Sequence, residues 1–256
     1  MGIFGKLFEK KICSVCGGEI GLLGNRKLED GNLCKTCAGK LSPFFSDRRS
    51  STVEQIKEQL DYREENKKAV AAFHTTLSYG EDVKLLIDED AKKFMVTRAR
   101  DLIEANPDVL DFSQVTGVDI DVDEDRTEAT FENGEGEEVS FTPPRYTFSY
   151  DFNIVIRVNS PYFDTVEFRL NRSSVEINPN SPVPMSAAPK PSLNLDYRRY
   201  EETANEIKTL LAEARREARE ASAPAAPKAA VVCKLCGATT IPDEKGCCEY
   251  CGGPVV

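Results

Sequence analysis

The chain has no tryptophan, three methionines and a single histidine, His74, in 256 residues. With no second histidine and no acid partner in evidence, His74 reads as a structural or surface residue rather than a catalytic base. The H-E-x-x-H helix, the G-x-S-x-G elbow and the phosphate-binding loop are all missing. Gly134 and Gly136 sit among glutamates that would repel a phosphate, so no nucleotide loop is expected there. Nothing approaches the roughly 18 consecutive apolar residues that a membrane-crossing helix needs. The first residues also lack the apolar core and small-residue cleavage site of a secretory signal, so a cytoplasmic location is expected. Basic residues are in deficit: 33 Lys and Arg stand against 43 Asp and Glu, a formal net charge of -10. That balance argues against non-specific affinity for a phosphate backbone.

What the chain does have is cysteine, nine of them, gathered near its two ends. A reducing compartment keeps thiols reduced, so such clusters point to metal ligation before disulfides. Cys13, Cys16, Cys34 and Cys37 form C-x2-C-x17-C-x2-C, and Cys233, Cys236, Cys248 and Cys251 form C-x2-C-x11-C-x2-C. Each set supplies the four thiolates of a tetrahedral structural zinc site, and the second resembles a zinc ribbon. Gly17, Gly237 and Gly252 follow their pairs directly, where a residue without a side chain lets backbone N–H groups turn toward sulfur. A thioredoxin-like dithiol would need a βαβ context that is not present. Cys247 is surplus. It could replace Cys248 only by stretching the pair to C-x3-C, and it reads as a thiol outside the site.

Between the clusters the patterning changes several times. Ser51 and Glu54 make a capping-box signal. Val53, Ile56 and Leu60, then Val70, Phe73 and Leu77, recur at helical spacing around a charged middle (Arg63, Glu64, Glu65, Lys67, Lys68), which predicts a helix packed at both ends and solvated between. From Val83 the period becomes two. Tyr146, Phe148, Tyr150, Phe152, Ile154, Ile156 and Val158 alternate with polar residues and predict a long strand, paired as an antiparallel hairpin with Val166, Phe168 and Leu170. Shorter strands are expected at 83–87, 94–97, 115–122 and 127–131. Asp119, Asp121 and Asp123 imitate a calcium loop. Glu124 stands where its glycine should be and Thr130 where its bidentate glutamate should be, so they read as the wet face of a strand. A Pro-rich connector follows, then a helix with Tyr200, Ala204, Ile207, Leu211 and Ala214 on one face.

The expected fold class is α+β: an antiparallel sheet or small barrel with two long helices, flanked by two four-cysteine zinc modules. The expected segments are 1–50 (zinc module), 51–79 (connecting helix), 80–178 (sheet domain), 179–194 (Pro-rich linker), 195–221 (helix), 222–231 (Ala/Pro linker) and 232–256 (zinc ribbon). The segments CSVCGGEIGLLG, KLEDGNLCKTC and LSPFF are similar to an uncharacterised bacterial family of domains of unknown function, often followed by a sheet region resembling the pleckstrin-homology-like barrel. The resemblance implies zinc ligation by Cys13, Cys16, Cys34 and Cys37, and it implies no activity.

The functional expectation is a non-enzymatic zinc-binding scaffold whose partner is a protein, with Leu22, Leu23, Phe44 and Phe45 as contact candidates or packing residues. Small four-cysteine modules bury little apolar surface, and metal binding supplies the folding free energy instead. Nucleic-acid binding through Arg26, Lys27, Lys35, Arg48 and Arg49 is the first alternative, opposed by the net charge although residues 1–50 hold 9 basic against 5 acidic side chains. A membrane-surface adaptor is the second alternative: Ile3, Phe4, Leu7 and Phe8 share a helical face in the opening segment, with Lys6, Lys10 and Lys11 elsewhere on it.

Overall fold

The computed structural model describes residues 11–178, 180–222, 230–243 and 246–255. The opening amphipathic stretch and most of the Ala/Pro linker lie outside the described residues. The fold is mixed, 29% helical and 33% strand, so neither element type dominates. It comprises two compact units that divide in sequence between Ala218 and Arg219.

The first unit opens with two short antiparallel hairpins. β1 (Lys11–Ile12) pairs with β2 (Glu19–Ile20), and β3 (Arg26–Lys27) with β4 (Asn32–Leu33). One helical turn, α1 (Lys35–Ala38), follows. A tight turn at Asp47–Ser50 then leads into the long helix α2 (Val53–Ala72). Leu28, Leu33, Leu41 and Ile56 make a small buried core, with Val53 and Leu60 packed on its edge. Three of those six residues belong to α2, so the helix completes the core of the module. At Gly31 a Cβ would come within 2.6 Å of Val53 and 2.7 Å of Ser14, and only glycine permits that approach.

α2 differs from its sequence expectation in three ways. Its cap is Thr52, not Ser51: the Thr52 hydroxyl accepts from the Gln55 amide at 3.3 Å, and the Gln55 side chain accepts from the Thr52 amide at 2.9 Å. Ser51 is engaged elsewhere, donating to the Asp47 carbonyl. The helix stops at Ala72, because the next residues are drawn into the sheet: the His74 amide donates to Asp88 and the Thr76 amide to the Ile87 carbonyl, each at 2.8 Å. Finally, its middle is solvated on one side only: Glu64, Glu65, Lys67 and Lys68 are exposed, as expected, but Arg63 is buried. Ile56, Gln59, Arg63, Asn66 and Val70 form one buried stripe at spacings of three and four. The polar members face a buried network described below.

Two open antiparallel sheets follow, and no barrel closes among the described residues. The first is a meander of β5 (Leu77–Tyr79), β6 (Lys84–Asp88), β7 (Lys93–Thr97) and, after the single turn α3 (Leu102–Ala105), β8 (Leu110–Asp111). The second is built on two long strands, β9 (Val115–Glu132) and β10 (Glu138–Val158). The other edge of β10 is shared by β11 (Thr165–Arg169) and β12 (Val175–Ile177). Phe152, Ile154 and Ile156 of β10 are wholly buried, as the alternation predicts. β9 runs unbroken where two strands were expected, because β10 offers an uninterrupted edge opposite Glu124 to Ala129. Asp119 and Asp123 do lie on its wet face, paired with Arg157 at 2.6 Å and with the Asn153 amide at 2.8 Å.

α4 (Leu195–Ser222) covers the buried face of this sheet. Ala204, Ile207 and Leu211 are fully buried, and Tyr197 sets its ring edge-on to Tyr150 and Phe152 at 5.1 and 5.0 Å. Each such large side chain contributes about 1.5–3 kcal/mol when removed from water, which is why this stripe, and not helix propensity, fixes the helix. No helix among the described residues is long and apolar enough to cross a membrane.

The second unit is small. β13 (Val231–Val232) pairs with β14 (Thr239–Thr240), and an isolated bridge joins Cys247 to Pro254.

Candidate metal centres

Three of the four cysteine pairs sit on the same local device. After β1 the chain turns so that the Cys13 amide donates to the Gly18 carbonyl and the Gly17 amide to the Cys13 carbonyl, both at 2.9 Å. In the second unit Cys233 with Ala238 and Gly237, and Cys248 with Gly253 and Gly252, repeat the two bonds at 2.8 Å. The glycine after each pair has φ between 69° and 74°, a backbone region costly for residues with a side chain. The fourth pair is held differently. Cys34 caps α1, its sulfur accepting from the Cys37 amide at 3.3 Å, while its own amide donates to the Cys13 sulfur at 3.4 Å.

These devices bring the eight predicted cysteines together as two sets of four. Within Cys13, Cys16, Cys34 and Cys37 all sulfurs lie within 4.8 Å of one another, and the same holds for Cys233, Cys236, Cys248 and Cys251. The Cys16–Cys34 separation is 3.8 Å, and the Cys233–Cys251 and Cys236–Cys248 separations are 3.7 Å. A disulfide would require about 2.05 Å. Cys248 is the buried member of its pair and belongs to the cluster, whereas Cys247 points its backbone into a turn with Asp243 and lies outside it.

The electrostatics of each set are uneven. Burial works against ionisation of Cys13, but amides of Cys16, Cys34 and Val15 outweigh it and hold the thiol down at about 6. Burial pushes Cys37 up, reinforced by the sulfurs of Cys34, Cys16 and Cys13. In the second set, amides of Cys236 and Leu235 hold Cys233 down to about 7. At Cys251 the Gly253 amide favours the thiolate, yet the sulfurs of Cys236 and Cys233 push it up to about 12. Four thiolates this close repel one another, and a cation at their centre is what lets all four ionise. Each set could therefore hold a metal ion, and it offers four protein ligands with no open position.

The other residues singled out by sequence divide. Phe44 packs on the main core, its ring 5.5 Å from Phe163, and Phe45 packs on the module core. Leu22 and Leu23 are 84% and 89% exposed. Arg26, Lys27, Arg48 and Arg49 line one concavity of about 880 Å3, while Lys35 stands apart on α1.

Sequence reasoning missed the buried network behind the first centre. Arg63 donates to the Lys40 carbonyl, the Asp108 carboxylate and the Asn106 carbonyl. Ser42 donates to Asp108 at 2.8 Å, and the Asn66 amide group donates to Asn106 and Pro107. Asn106, at φ 48°, returns a bond to the Arg63 carbonyl. These contacts tie the module, α2 and the chain before β8 together. The signal was present in the spacing of Gln59, Arg63 and Asn66, in register with Ile56 and Val70.

Residues 11–59 match the model of a domain of unknown function, DUF4428. The match extends into α2 as far as Gln59, and so includes Ile56 of the module core. No curated protein and no solved structure matches the chain.

Proposed function

We propose that this chain is a non-enzymatic scaffold in which two structural zinc ions hold small recognition modules, the first built against a sheet domain. The observation that carries the reading is the sulfur spacing. Four sulfurs at 2.3 Å from a central zinc stand at the corners of a tetrahedron with edges of about 3.8 Å; the Cys16–Cys34, Cys233–Cys251 and Cys236–Cys248 pairs are 3.7 to 3.8 Å apart, and within each set all sulfurs lie within 4.8 Å of one another. Complete ligation by protein leaves no position for water or substrate, which favours a structural over a catalytic metal. Metal binding then supplies folding free energy to segments with little apolar surface of their own.

Elemental analysis of the reduced full-length protein tests this. Two equivalents of zinc are expected. One equivalent removes one of the two centres from the proposal, and iron with visible absorption replaces the scaffold with electron transfer.

A further inference from the structure

The N-terminal module carries an unusual face. The loop joining β2 to β3 reads Gly21-Leu22-Leu23-Gly24, and its two leucines are 84% and 89% exposed. Adjacent large apolar side chains this far out of the surface gain nothing from the fold itself. Beside them lie four cations. The Arg26 guanidinium donates to the Leu23 carbonyl at 3.3 Å, so the charge abuts the apolar tip. Arg48 reaches across from the turn before α2 and donates to the Lys27 carbonyl at 2.7 Å. With Lys27 and Arg49 they line a concavity of about 880 Å3, where Glu29 is the one acidic residue. Among the described residues, none of the four cations is within ion-pairing distance of a carboxylate. Burial is the main cause that pushes the Arg48 guanidinium down from its ordinary value, and the like charges of Arg49 and Arg26 add to it. This happens in a chain whose acidic residues outnumber its basic ones by 43 to 33.

We propose that this face docks on an anionic membrane surface, with Leu22 and Leu23 entering the acyl boundary and Arg26, Lys27, Arg48 and Arg49 meeting lipid phosphates. Apolar insertion combined with basic charge is the pairing that an anionic bilayer rewards. A nucleic-acid backbone would use the cations and leave the leucines in water. An acidic protein surface would need a shaped apolar recess for two neighbouring leucines, whereas the acyl boundary accepts them without a complementary shape. The surface is distinct from both cysteine clusters, and the proposal goes beyond the scaffold reading without depending on which metal is bound.

Co-sedimentation of the full-length protein with vesicles tests it, using pure phosphatidylcholine and a mixture containing phosphatidylserine at about 0.1 M salt. Binding to the anionic vesicles alone is expected. Leu22→Ser with Leu23→Ser, and separately Lys27→Glu with Arg49→Glu, should each lower the partition coefficient at least about fivefold. All four side chains are on the surface, and unchanged zinc content and circular dichroism confirm that the variants are folded. Phe4→Glu controls for the opening segment. Loss of binding in Phe4→Glu with both surface variants unaffected overturns the proposal, as does failure of the wild type to bind anionic vesicles. Competition by millimolar inorganic phosphate that abolishes sedimentation would assign the concavity to free phosphate instead. Tight, salt-dependent binding to duplex DNA that ignores the leucine substitutions would assign it to nucleic acid.

Discussion

The Arg63 guanidinium and the Asp108 carboxylate meet at 2.7 Å with their side chains 7% and 0% exposed, 45 positions apart in the chain. Burial pushes the Asp108 carboxyl above its ordinary range, and Arg63 and Ser42 offset that only in part. The arrangement joins the first four-cysteine module to the sheet, because Arg63 also binds the Lys40 carbonyl and Ser42 also binds Asp108. Taking away one partner strands the other in a dry environment. Arg63→Met and Asp108→Leu should each destabilise the first unit by about 3–5 kcal/mol, and the double variant by much less than their sum. Urea unfolding of the four proteins measures it. Additive losses would mean that the two groups do not act as a pair.

Asp88 anchors a different junction. Its carboxylate accepts from the His74 amide beyond α2 and from the Ala91 amide in the turn after β6, both at 2.8 Å. Burial opposes its ionisation, but these amides prevail and hold its pKa below the usual carboxylate value. A carboxyl lowered on folding adds stability above its unfolded pKa and loses it as pH falls through the folded one. Asp88→Asn keeps one acceptor and sets an N–H group against the other amide. It should destabilise the protein by about 1.5–3 kcal/mol at pH 7. The gap from wild type should begin to narrow as pH falls below about 4, where the carboxyl of the unfolded chain protonates, and close as pH falls through the lower pKa of folded Asp88. Thermal melts at pH 7 and pH 3 compare the two, and a gap of constant size would exclude the ionised form as its source.

Gln59 is fully buried in the α2 stripe, and neither side-chain polar atom has a hydrogen-bond partner among the described residues. Desolvating an amide without compensation costs about 1–3 kcal/mol. Gln59→Met keeps the volume and removes the polar atoms, so it should raise stability by roughly 1 kcal/mol. A loss of stability in chemical denaturation would show that the amide is satisfied in solution.

How far the sequence disclosed this architecture depends on the range of each interaction. Cysteine spacing is local within pairs, and the glycines Gly17, Gly237 and Gly252 mark three of the turns directly. The alternation from Tyr146 to Val158 is local too, and it identified the central strand and its buried face. Arg63 reads as solvated and Asn66 is passed over because charged and amide side chains in a helix are ordinarily solvated, and their partners Asp108 and Asn106 lie 45 and 40 positions away. The basic concavity was half visible. Arg26 with Lys27 and Arg48 with Arg49 stand out as pairs, but only the contact between the hairpin and the turn before α2 brings the four together. The unbroken β9 was hidden by its run of Asp and Glu, residues disfavoured in strands unless a partner edge holds them.

The two candidate metal centres should differ in how much of the protein depends on them. Ile56 and Leu60 of α2 pack on the first module, and the Arg63 network begins at Lys40 and Ser42. Cys37→Ser should therefore remove one zinc equivalent and lower the main melting transition by about 5 °C or more, as expected for a loss of a few kcal/mol in a unit of this size. The second unit divides from the first at Arg219. Cys248→Ser should remove one equivalent and shift the main transition by less than about 1 °C, as expected for a substitution confined to a separate compact unit. Cys247→Ser supplies the contrast, since Cys248 is buried in the cluster and Cys247 is outside it. It should keep both equivalents. Metal content and calorimetry on the three variants separate the outcomes: retention of zinc by Cys248→Ser with loss in Cys247→Ser would reverse the ligand assignment. A large drop in the main transition with Cys248→Ser would show that the first unit depends on the second metal centre.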